Sequence, residues 1–498
     1  MPRKQIRLNA FDMNCVGHIQ HGMWSHPRDH SVNYNTLDYW KNLARIAERG
    51  LFDGVFIADI VGVYDVYKNG PDPSILNGVQ IPVNDPTLLI PAMAAVTKHL
   101  GFGVTVNLTW EQPYLFARRL STLDHLTGGR VGWNIVTGYL DSAARGMGKA
   151  AQPEHDSRYD VADEFMEVVY KLWEGSWEDG AVLRDRDSRT FALPDRIHRI
   201  RHRGEHYRVD GIHLAEPSPQ RTPVLYQAGS SRRGRRFAST HAECVFVSAP
   251  NKPQTRSLVA DIRRQAAAQG RRTEDVLVFA QRAVVVGRTR AEARDRYREY
   301  HRHASIEGGL AHFSSTIGID LSRYALDEPI RYEKNNANNS ATEAITRQSE
   351  EPWTLRRIIG EMGLGSRQQP IVGSADEVAD ELQSWIDEAD LDGFNLSRTV
   401  MPECLEDFVD LVVPILQERR VYKHEYAPGT LREKLFGEGP RLPPRHPGAG
   451  FRRLPRDEQT ATEATGASLL LPTKPASVPL FAPNRVYITT PYTITPMP

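Results

Sequence analysis

The sequence has few cysteines and no excess of charge of either sign. Its 498 residues include three cysteines, Cys15, Cys244 and Cys404, without the spacing of a disulfide framework or a zinc knuckle. We therefore expect a protein of a reducing compartment, the cytoplasm. Lys plus Arg and Asp plus Glu both number 62, so the formal net charge is zero. A neutral chain has no overall field that would attract nucleic acid or an anionic membrane.

Long apolar runs are also missing. No stretch approaches the roughly 18–20 apolar residues that a membrane span needs. The amino-terminal sequence MPRKQIRLNAFDM has basic residues but no apolar core or small-residue cleavage site, so it does not resemble a signal peptide. We expect a globular protein with neither a nucleic-acid partner nor a membrane partner.

Short apolar runs alternate with amphipathic stretches through most of the chain. A representative helix is predicted over Thr36–Arg49, capped by Asn35 or Thr36 and ended by Gly50. Eight strands are expected, most of them followed by a helix, and such alternation favours a parallel sheet in a (β/α)8 TIM barrel of the α/β class. The predicted strands span residues 6–11, 54–59, 100–108, 130–137, 223–228, 243–248, 276–286 and 393–396.

Two polar segments interrupt this pattern, and a third follows it. Residues 174–221, expected to contain a hairpin at Glu205–Leu214, form an insertion after the fourth strand, and residues 300–369 form another after the seventh. We expect both near the catalytic face of the barrel, where loops after strands build active sites. Each is either a lid or a mobile surface loop. The barrel domain is predicted to cover residues 1–436, and the proline-rich residues 437–498 to form a disordered tail.

Polar residues stand where the predicted strands end, and such positions carry active sites in barrels. They offer amides and hydroxyls but a single prominent carboxylate, Asp59, whereas a glycoside hydrolase needs two nearby carboxylates. Individually, each is equally explained as a cap at a strand end. Together they suit a planar heterocycle with hydrogen-bonding edges. The residues in question are Asn9, Phe11, Asp59, Thr105, Asn107, Asn134, Thr137, Gln227, Ser230 and Asn395.

The most specific local motif follows the fifth predicted strand. Gln227–Ala238 reads QAGSSRRGRRFA and leads into an amphipathic helix. Small residues, two hydroxyls, a helix N-terminus and four arginines are the features of a phosphate-binding cradle. The alternative interpretation is an ordinary capped helix with a solvated basic face.

Histidines form two further candidates. His18, His21 and His26 follow the first strand, but no H-x-H spacing or carboxylate partner completes a metal site, so we expect no metal and assign the loop to the substrate side. His155 and Tyr159 are four residues apart, so they share a face if the helix predicted at Tyr159–Trp173 extends back to His155.

With these residues in view, the sequence resembles the flavin-dependent monooxygenases of the bacterial luciferase superfamily. The likeness is strongest to the branch that holds the large components of nitrilotriacetate, dibenzothiophene sulfone and dimethyl sulfide monooxygenases. It covers about residues 5–435. The segments that carry it include LNAFDMNCVGH, ERGLFDGVFIAD, ARRLSTLDHLTGGRVGWNIVTG, EHDSRYDVADEFM, SPQRTPVLYQAGSSRRGRRFA and DGFNL.

The resemblance implies reduced FMN and O2 as co-substrates, a separate NADH-dependent flavin reductase as partner, and a homodimer or homotetramer. It assigns FMN contacts to Asp59, Thr105, Asn134, His155, Tyr159, Ser230 and Ser231. It places His21, Phe11 and Phe246 around the flavin ring or the substrate. Some relatives have a histidine where this chain has Thr316, and the nearest histidine is His312, which puts a role for that loop in question.

The function implied by the resemblance is oxygenation of a small organic substrate, foremost an organosulfur compound such as dimethyl sulfide. Four alternatives remain open. They are the same chemistry on an aminopolycarboxylate or a halogenated aromatic, a deazaflavin-dependent oxidoreductase on a similar barrel, a metal-dependent hydrolase, and a non-catalytic binding module suggested by the proline-rich tail.

Overall fold

A computed structural model describes residues 4–229, 231–249, 251–367 and 369–453. Within these ranges, eight parallel strands close into a barrel, which confirms the predicted fold class. Each strand pairs with its neighbour in chain order, and β8 pairs with β1 to close the ring. The strands are β1 Arg7–Met13, β2 Gly54–Ala58, β3 Gly101–Asn107, β4 Val131–Val136, β5 Val224–Gln227, β6 Cys244–Val247, β7 Leu277–Gly287 and β8 Gly393–Ser397.

Helices surround the barrel and connect successive strands. Thr36 caps α1 as predicted, and Gly128 ends α4 in the left-handed conformation. None of the described helices is both long enough and apolar enough to cross a membrane. The helices are α1 Leu37–Arg49, α2 Asp72–Asn77, α3 Ile90–Ala94, α4 Pro113–Thr127, α5 Asp141–Gly146, α6 His155–Gly175, α7 Arg232–His241, α8 Lys252–Ala268, α9 Arg290–His301, α10 Ile306–Ile317, α11 Asn339–Thr346, α12 Leu355–Glu361, α13 Ala375–Ala389, α14 Glu403–Asp407, α15 Val413–Glu418 and α16 Leu431–Phe436.

The strands alternate between two cores, as a period of two residues requires. Val104 and Val106 pack outward against the helices in the main core. Phe56 and Tyr226 belong to a separate aromatic core inside the barrel. A Cβ atom on Gly132 would collide with the ring of Tyr226, so this strand position has room for glycine alone.

The first insertion lies at the opposite end of the barrel from the one we expected. It follows α6 rather than β4 itself, and the carboxyl end of a barrel helix lies at the amino-terminal end of the strands. Gln220 accordingly donates from Nε2 to the carbonyl of Val131, at the start of β4. The hairpin predicted at Glu205–Leu214 is displaced: its strands are Ile200–Arg203 and Arg208–Gly211, and a second hairpin pairs Val182–Asp185 with Thr190–Ala192.

The second insertion does lie at the carboxyl-terminal end. It contains α10, α11 and α12 and returns through the strand Ile371–Ser374, which pairs with the far end of β7. Asn336 in this insertion contacts the loop between β4 and α6, where its Nδ2 donates to the carbonyl of Gln152. The insertion therefore lies over the strand ends from which the site was predicted.

The domain boundary predicted at residue 437 is too early. The Arg441 guanidinium forms an ion pair with Asp179, and Arg452 lies 2.8 Å from Glu174. The ring of Phe451 stacks on Tyr170 at 6.1 Å between centroids. The proline-rich composition predicted disorder, but two arginines and one aromatic ring, each paired with a residue distant in the sequence, hold this segment against the barrel domain. Of the predicted tail, residues 454–498 lie outside the described residues.

The Arg432–Glu243 ion pair, buried at the amino-terminal end of the barrel, predicts a strong effect on stability. Arg432 donates to both Glu243 carboxylate oxygens, at 2.7 and 2.8 Å, and to the carbonyls of Thr222 and Pro223. We expect Arg432→Ala to lower the free energy of unfolding in urea by about 3–5 kcal/mol because Glu243 is left charged and buried. Arg264→Ala, at an exposed arginine, serves as the control and should change it by less than about 0.5 kcal/mol. Equal effects of the two variants would contradict the assignment.

Candidate active site

An aromatic cluster fills the barrel below the carboxyl ends of the strands. Phe56 lies 4.4 Å from Phe246 and 5.6 Å from Phe11, measured between ring centroids. Phe246 stacks parallel to Tyr226 at 5.8 Å. The predicted pocket residues Phe11 and Phe246 thus belong to one apolar cluster, which Phe11 extends to an edge contact with His18 at 4.6 Å.

Thr105 and Asn134 form a polar pair on adjacent strands. They stand directly opposite each other in the β3–β4 register, and Asn134 Nδ2 donates to Thr105 Oγ1 at 3.0 Å. Both residues are buried. The remaining oxygen of Asn134, Oδ1, has no hydrogen-bond partner among the described residues. A buried acceptor left over in this way suits the donor edge of a bound heterocycle.

The amino terminus of α7 forms a cradle that fits an anion. Ser231 caps the helix and accepts a hydrogen bond from the backbone N–H of Gly234 at 2.9 Å. A Cβ atom on Gly234 would lie 2.7 Å from Tyr159 Oη and 3.0 Å from Ser231 Oγ, so only glycine leaves these two hydroxyls undisturbed. A helix N-terminus attracts negative charge through its free N–H groups and its dipole. Ser230, predicted to share this role, lies outside the described residues.

His155 and Tyr159 do lie on one face of a helix, since α6 begins at His155. Their rings are 5.4 Å apart. Tyr159 is buried and reaches the α7 cradle, and burial raises the pKa of its hydroxyl. His155 Nδ1 lies 2.7 Å from Asp156, at the half-buried start of the helix.

Two of the four arginines of α7 pair with carboxylates of neighbouring helices, although Arg233 also lies over the Tyr159 ring, 5.4 Å from its centroid. Arg233 forms ion pairs with Asp160 and Asp163 of α6, at 3.1 and 2.6 Å. Arg235 pairs with Asp261 of α8 at 2.9 Å. The carboxylates that pair with Arg233 and Arg235 belong to neighbouring helices, so the sequence of α7 alone did not reveal these ion pairs.

Asp59 follows β2 directly and is a largely buried carboxyl group. Burial raises its pKa to about 7, and the charge of Asp85 adds to the effect, whereas a hydrogen bond from the backbone of Ile60 opposes it. A carboxyl group with such a pKa exchanges its proton near neutral pH, which is common at functional sites.

A histidine pair that the sequence did not reveal lies beside the aromatic cluster. His21 Nε2 and His312 Nδ1 are 2.9 Å apart, and the His312 ring packs 4.8 Å from that of Tyr64. Burial lowers the pKa of His312 to about 4 and that of His21 well below the usual range. Both rings are therefore neutral near pH 7. Within the described residues, no third His, Cys, Asp or Glu joins them as a metal site.

The shifted pKa of Asp59 predicts a pH-dependent stability. Between the unfolded pKa near 4 and the folded pKa near 7, the folded protein binds the proton more tightly, so stability falls as pH rises. Asp59→Asn cannot lose a proton. From pH 5 to pH 8 we expect the free energy of unfolding of the wild type to fall by about 2–3 kcal/mol relative to this variant in urea titrations. Parallel curves would show that Asp59 is not desolvated.

Comparisons with known proteins agree with this geometry. The family model described as luciferase-like monooxygenase matches residues 15–390. The chain is 46% identical over 468 residues to the dimethyl-sulfide monooxygenase of Hyphomicrobium sulfonivorans, covering 94% of this chain and 98% of that protein. It is 48% identical over 452 residues to the long-chain alkane monooxygenase of Geobacillus thermodenitrificans (strain NG80-2), covering 91% and 99%.

A solved structure gives the same result. The crystal structure of a riboflavin lyase with modified FMN and the substrate riboflavin has a TM-score of 0.85 at 39% identity, covering 90% of this chain and all of the other. The resemblance inferred from the sequence is thus confirmed over the barrel and both insertions. The chain belongs to the luciferase-like monooxygenase family and is a reduced-flavin-dependent monooxygenase.

Proposed function

We propose that this chain is the oxygenase component of a two-component system that uses reduced FMN and O2 to oxygenate a small organosulfur compound such as dimethyl sulfide. A separate NADH-dependent reductase would supply the reduced FMN. The observation that carries the proposal is the cradle formed by Ser231, Gly234 and Tyr159, which fits the phosphate that distinguishes FMN from riboflavin.

The other predicted contacts suit the remainder of FMN. Asn134 Oδ1 is a buried acceptor without a protein partner, and Thr105 fixes the amide that carries it. His155 and Asp59 lie at strand and helix ends on the same side of the barrel. Bound reduced FMN supplies the electrons that activate O2. These residues would bind and orient the ring, and Asp59 can hold or release a proton near neutral pH.

The substrate side of the site is apolar. Phe11, Phe56 and Phe246 form the interior wall, and the buried His21 beside them is neutral. Such a wall excludes water and favours an uncharged substrate. The buried Arg158 donates to the carbonyls of Gly138 and Asn336 and is not directed at the aromatic wall. This arrangement favours a dialkyl sulfide over an aminopolycarboxylate.

A second substrate class has a specific observation in its favour. The relative with 48% identity is named for long-chain alkanes, which are also uncharged and apolar. The aromatic wall accepts either class on chemical grounds. We retain a homodimer or homotetramer as a prediction.

The cradle predicts a variant that separates FMN from riboflavin. Gly234→Ala should weaken FMN binding roughly tenfold or more, about 1.4 kcal/mol or above, because the new methyl group would displace the Tyr159 and Ser231 hydroxyls that line the cradle. Riboflavin has no phosphate, so its affinity should not change. Gly360→Ala is a matched control, since a Cβ atom at this helical glycine contacts nothing within 4 Å. Both affinities are measured by isothermal titration calorimetry under anaerobic conditions, with the flavins reduced by dithionite and also oxidised.

Two outcomes would contradict the assignment. If Gly234→Ala leaves FMN affinity unchanged, the phosphate does not lie at α7. If riboflavin binding weakens equally, the substitution has disturbed the site as a whole rather than the cradle.

The substrate proposal predicts the order of activities in an oxygen-uptake assay. With a flavin reductase regenerating reduced FMN, dimethyl sulfide should raise O2 consumption and yield an oxygenated product, whereas nitrilotriacetate should do neither. Hexadecane in the same assay tests the alkane alternative. Substrate-free reactions give the rate of flavin autoxidation. Turnover of nitrilotriacetate above that rate would overturn the argument from the apolar wall.

A further inference from the structure

Arg398 is a buried cation just beyond the carboxyl end of β8. Its side chain is 6% exposed, and its Nε lies 2.8 Å from Asp12 Oδ1, itself 2% exposed. The hydroxyl of Tyr39 on α1 donates to the other carboxylate oxygen of Asp12 at 2.8 Å. Arg398 Nη1 contacts the same hydroxyl at 3.3 Å. The ion pair thus joins β1, β8 and α1.

The same guanidinium also holds the segment that follows β1. Arg398 Nη2 donates to the carbonyl of Cys15 at 2.9 Å and to that of Val16 at 3.0 Å. Those two residues lead directly to His18, whose ring contacts Phe11, and to His21, whose ring contacts His312. Arg398 itself reaches none of these rings or the aromatic wall through a hydrogen bond.

We propose that Arg398 is a positioning residue, which acts through Asp12 and the Cys15 and Val16 carbonyls to fix the loop that carries His18 and His21 against the aromatic wall. The proposal rests on the proposed function, because it assigns that loop to the substrate side of the oxygenation site. A planar guanidinium that holds Asp12 through Nε and two successive carbonyls through Nη2 defines the direction of the loop in a way that lysine, a single point charge, cannot.

Stability alone does not account for this ion pair. Replacing a buried ion pair by apolar residues is often neutral or stabilising, so such a pair is weak evidence of a stabilising role. Its location is informative instead, since it joins the strand that carries Phe11 to the loop that carries both histidines. The corresponding buried pair at the other end of the barrel, Arg432 with Glu243, holds the carbonyls of Thr222, Pro223 and Pro440 instead of the loop that carries His18 and His21.

The charge of Arg398 also bears on the two imidazoles. Burial lowers the pKa of His18 and of His21 well below the usual range, and Arg398 adds to both shifts. The other titratable group that faces both is His312 on α10, and His18 also faces His21. Removing the guanidinium therefore both loosens the loop and makes the imidazoles easier to protonate.

The test compares two double variants in which no charge is left unpaired. Asp12→Leu/Arg398→Leu removes the pair at the site, and Arg432→Leu/Glu243→Leu removes the matched pair at the opposite end. For Asp12→Leu/Arg398→Leu we expect kcat to fall roughly tenfold or more. In the plot of kcat against pH, we expect the decline on the acidic side to begin at a higher pH than in the wild type. Its affinity for reduced FMN should stay within about twofold of the wild type, because the pair contacts β1, α1 and the segment after β1, whereas the cradle lies at the start of α7 between β5 and β6. The control should keep the kcat profile of the wild type.

Two further measurements keep the result decisive. Arg398→Lys keeps the positive charge but cannot make all the hydrogen bonds of the guanidinium. It should therefore recover the wild-type pH profile while kcat stays reduced. The same variant tests the proposal if the leucine double variant fails to fold. Nuclear magnetic resonance titration of 15N-labelled histidine needs no turnover, and the midpoints of His18 and His21 should rise when the guanidinium is removed.

A folded Asp12→Leu/Arg398→Leu protein with wild-type kcat, pH profile and histidine midpoints would overturn the proposal. Failure of the proposed function has a different signature: the wild type would not oxygenate any substrate with reduced FMN, while the histidine midpoints would still shift between wild type and variant.

Discussion

Closure of the sheet is the constraint on which the site depends. Because each strand is paired on both sides, its register is fixed, and the period of two residues then decides which side chains enter the barrel. Thr105 and Asn134 face each other across β3 and β4 for this reason, and Val104 and Val106 cannot replace them. A slip of one residue would replace Thr105 by Val104 or Val106, and Asn134 by Trp133 or Ile135.

Parallel strands impose a second consequence, that helix N-termini gather at the carboxyl end of the barrel. The starts of α6 and α7 both lie there, and they bring His155, Tyr159 and Ser231 to the same end as Asn134. The anion cradle and the polar edge of the site are therefore products of one topology. Gly234 completes the cradle, since any larger residue would meet Tyr159.

The elements that follow from local pattern were predictable, and those that depend on distant partners were not. Apolar runs identified all eight strands, and the spacing of His155 and Tyr159 identified their shared face. His312 reaches His21 across 291 residues and from an insertion without strand periodicity, so no local signal indicated the contact. The first insertion lies at the amino-terminal end of the barrel because it follows α6, whereas an insertion directly after β4 would lie at the carboxyl-terminal end, as predicted.

Buried ionisable groups at this end of the barrel are held in three ways: in an ion pair, by hydrogen bonds to backbone carbonyls as at Arg158, or in the neutral form. Asp12 and Arg398 neutralise each other, whereas Asp59, which pairs with no cation among the described residues, has a pKa raised by burial to about 7. His21 and His312 take the neutral form instead. The burial that shifts the pKa of unpaired groups toward the neutral form also disfavours a charged substrate, because a charged substrate would lose its hydration on entering the site. This electrostatic argument supports the proposed uncharged substrate independently of any pocket shape.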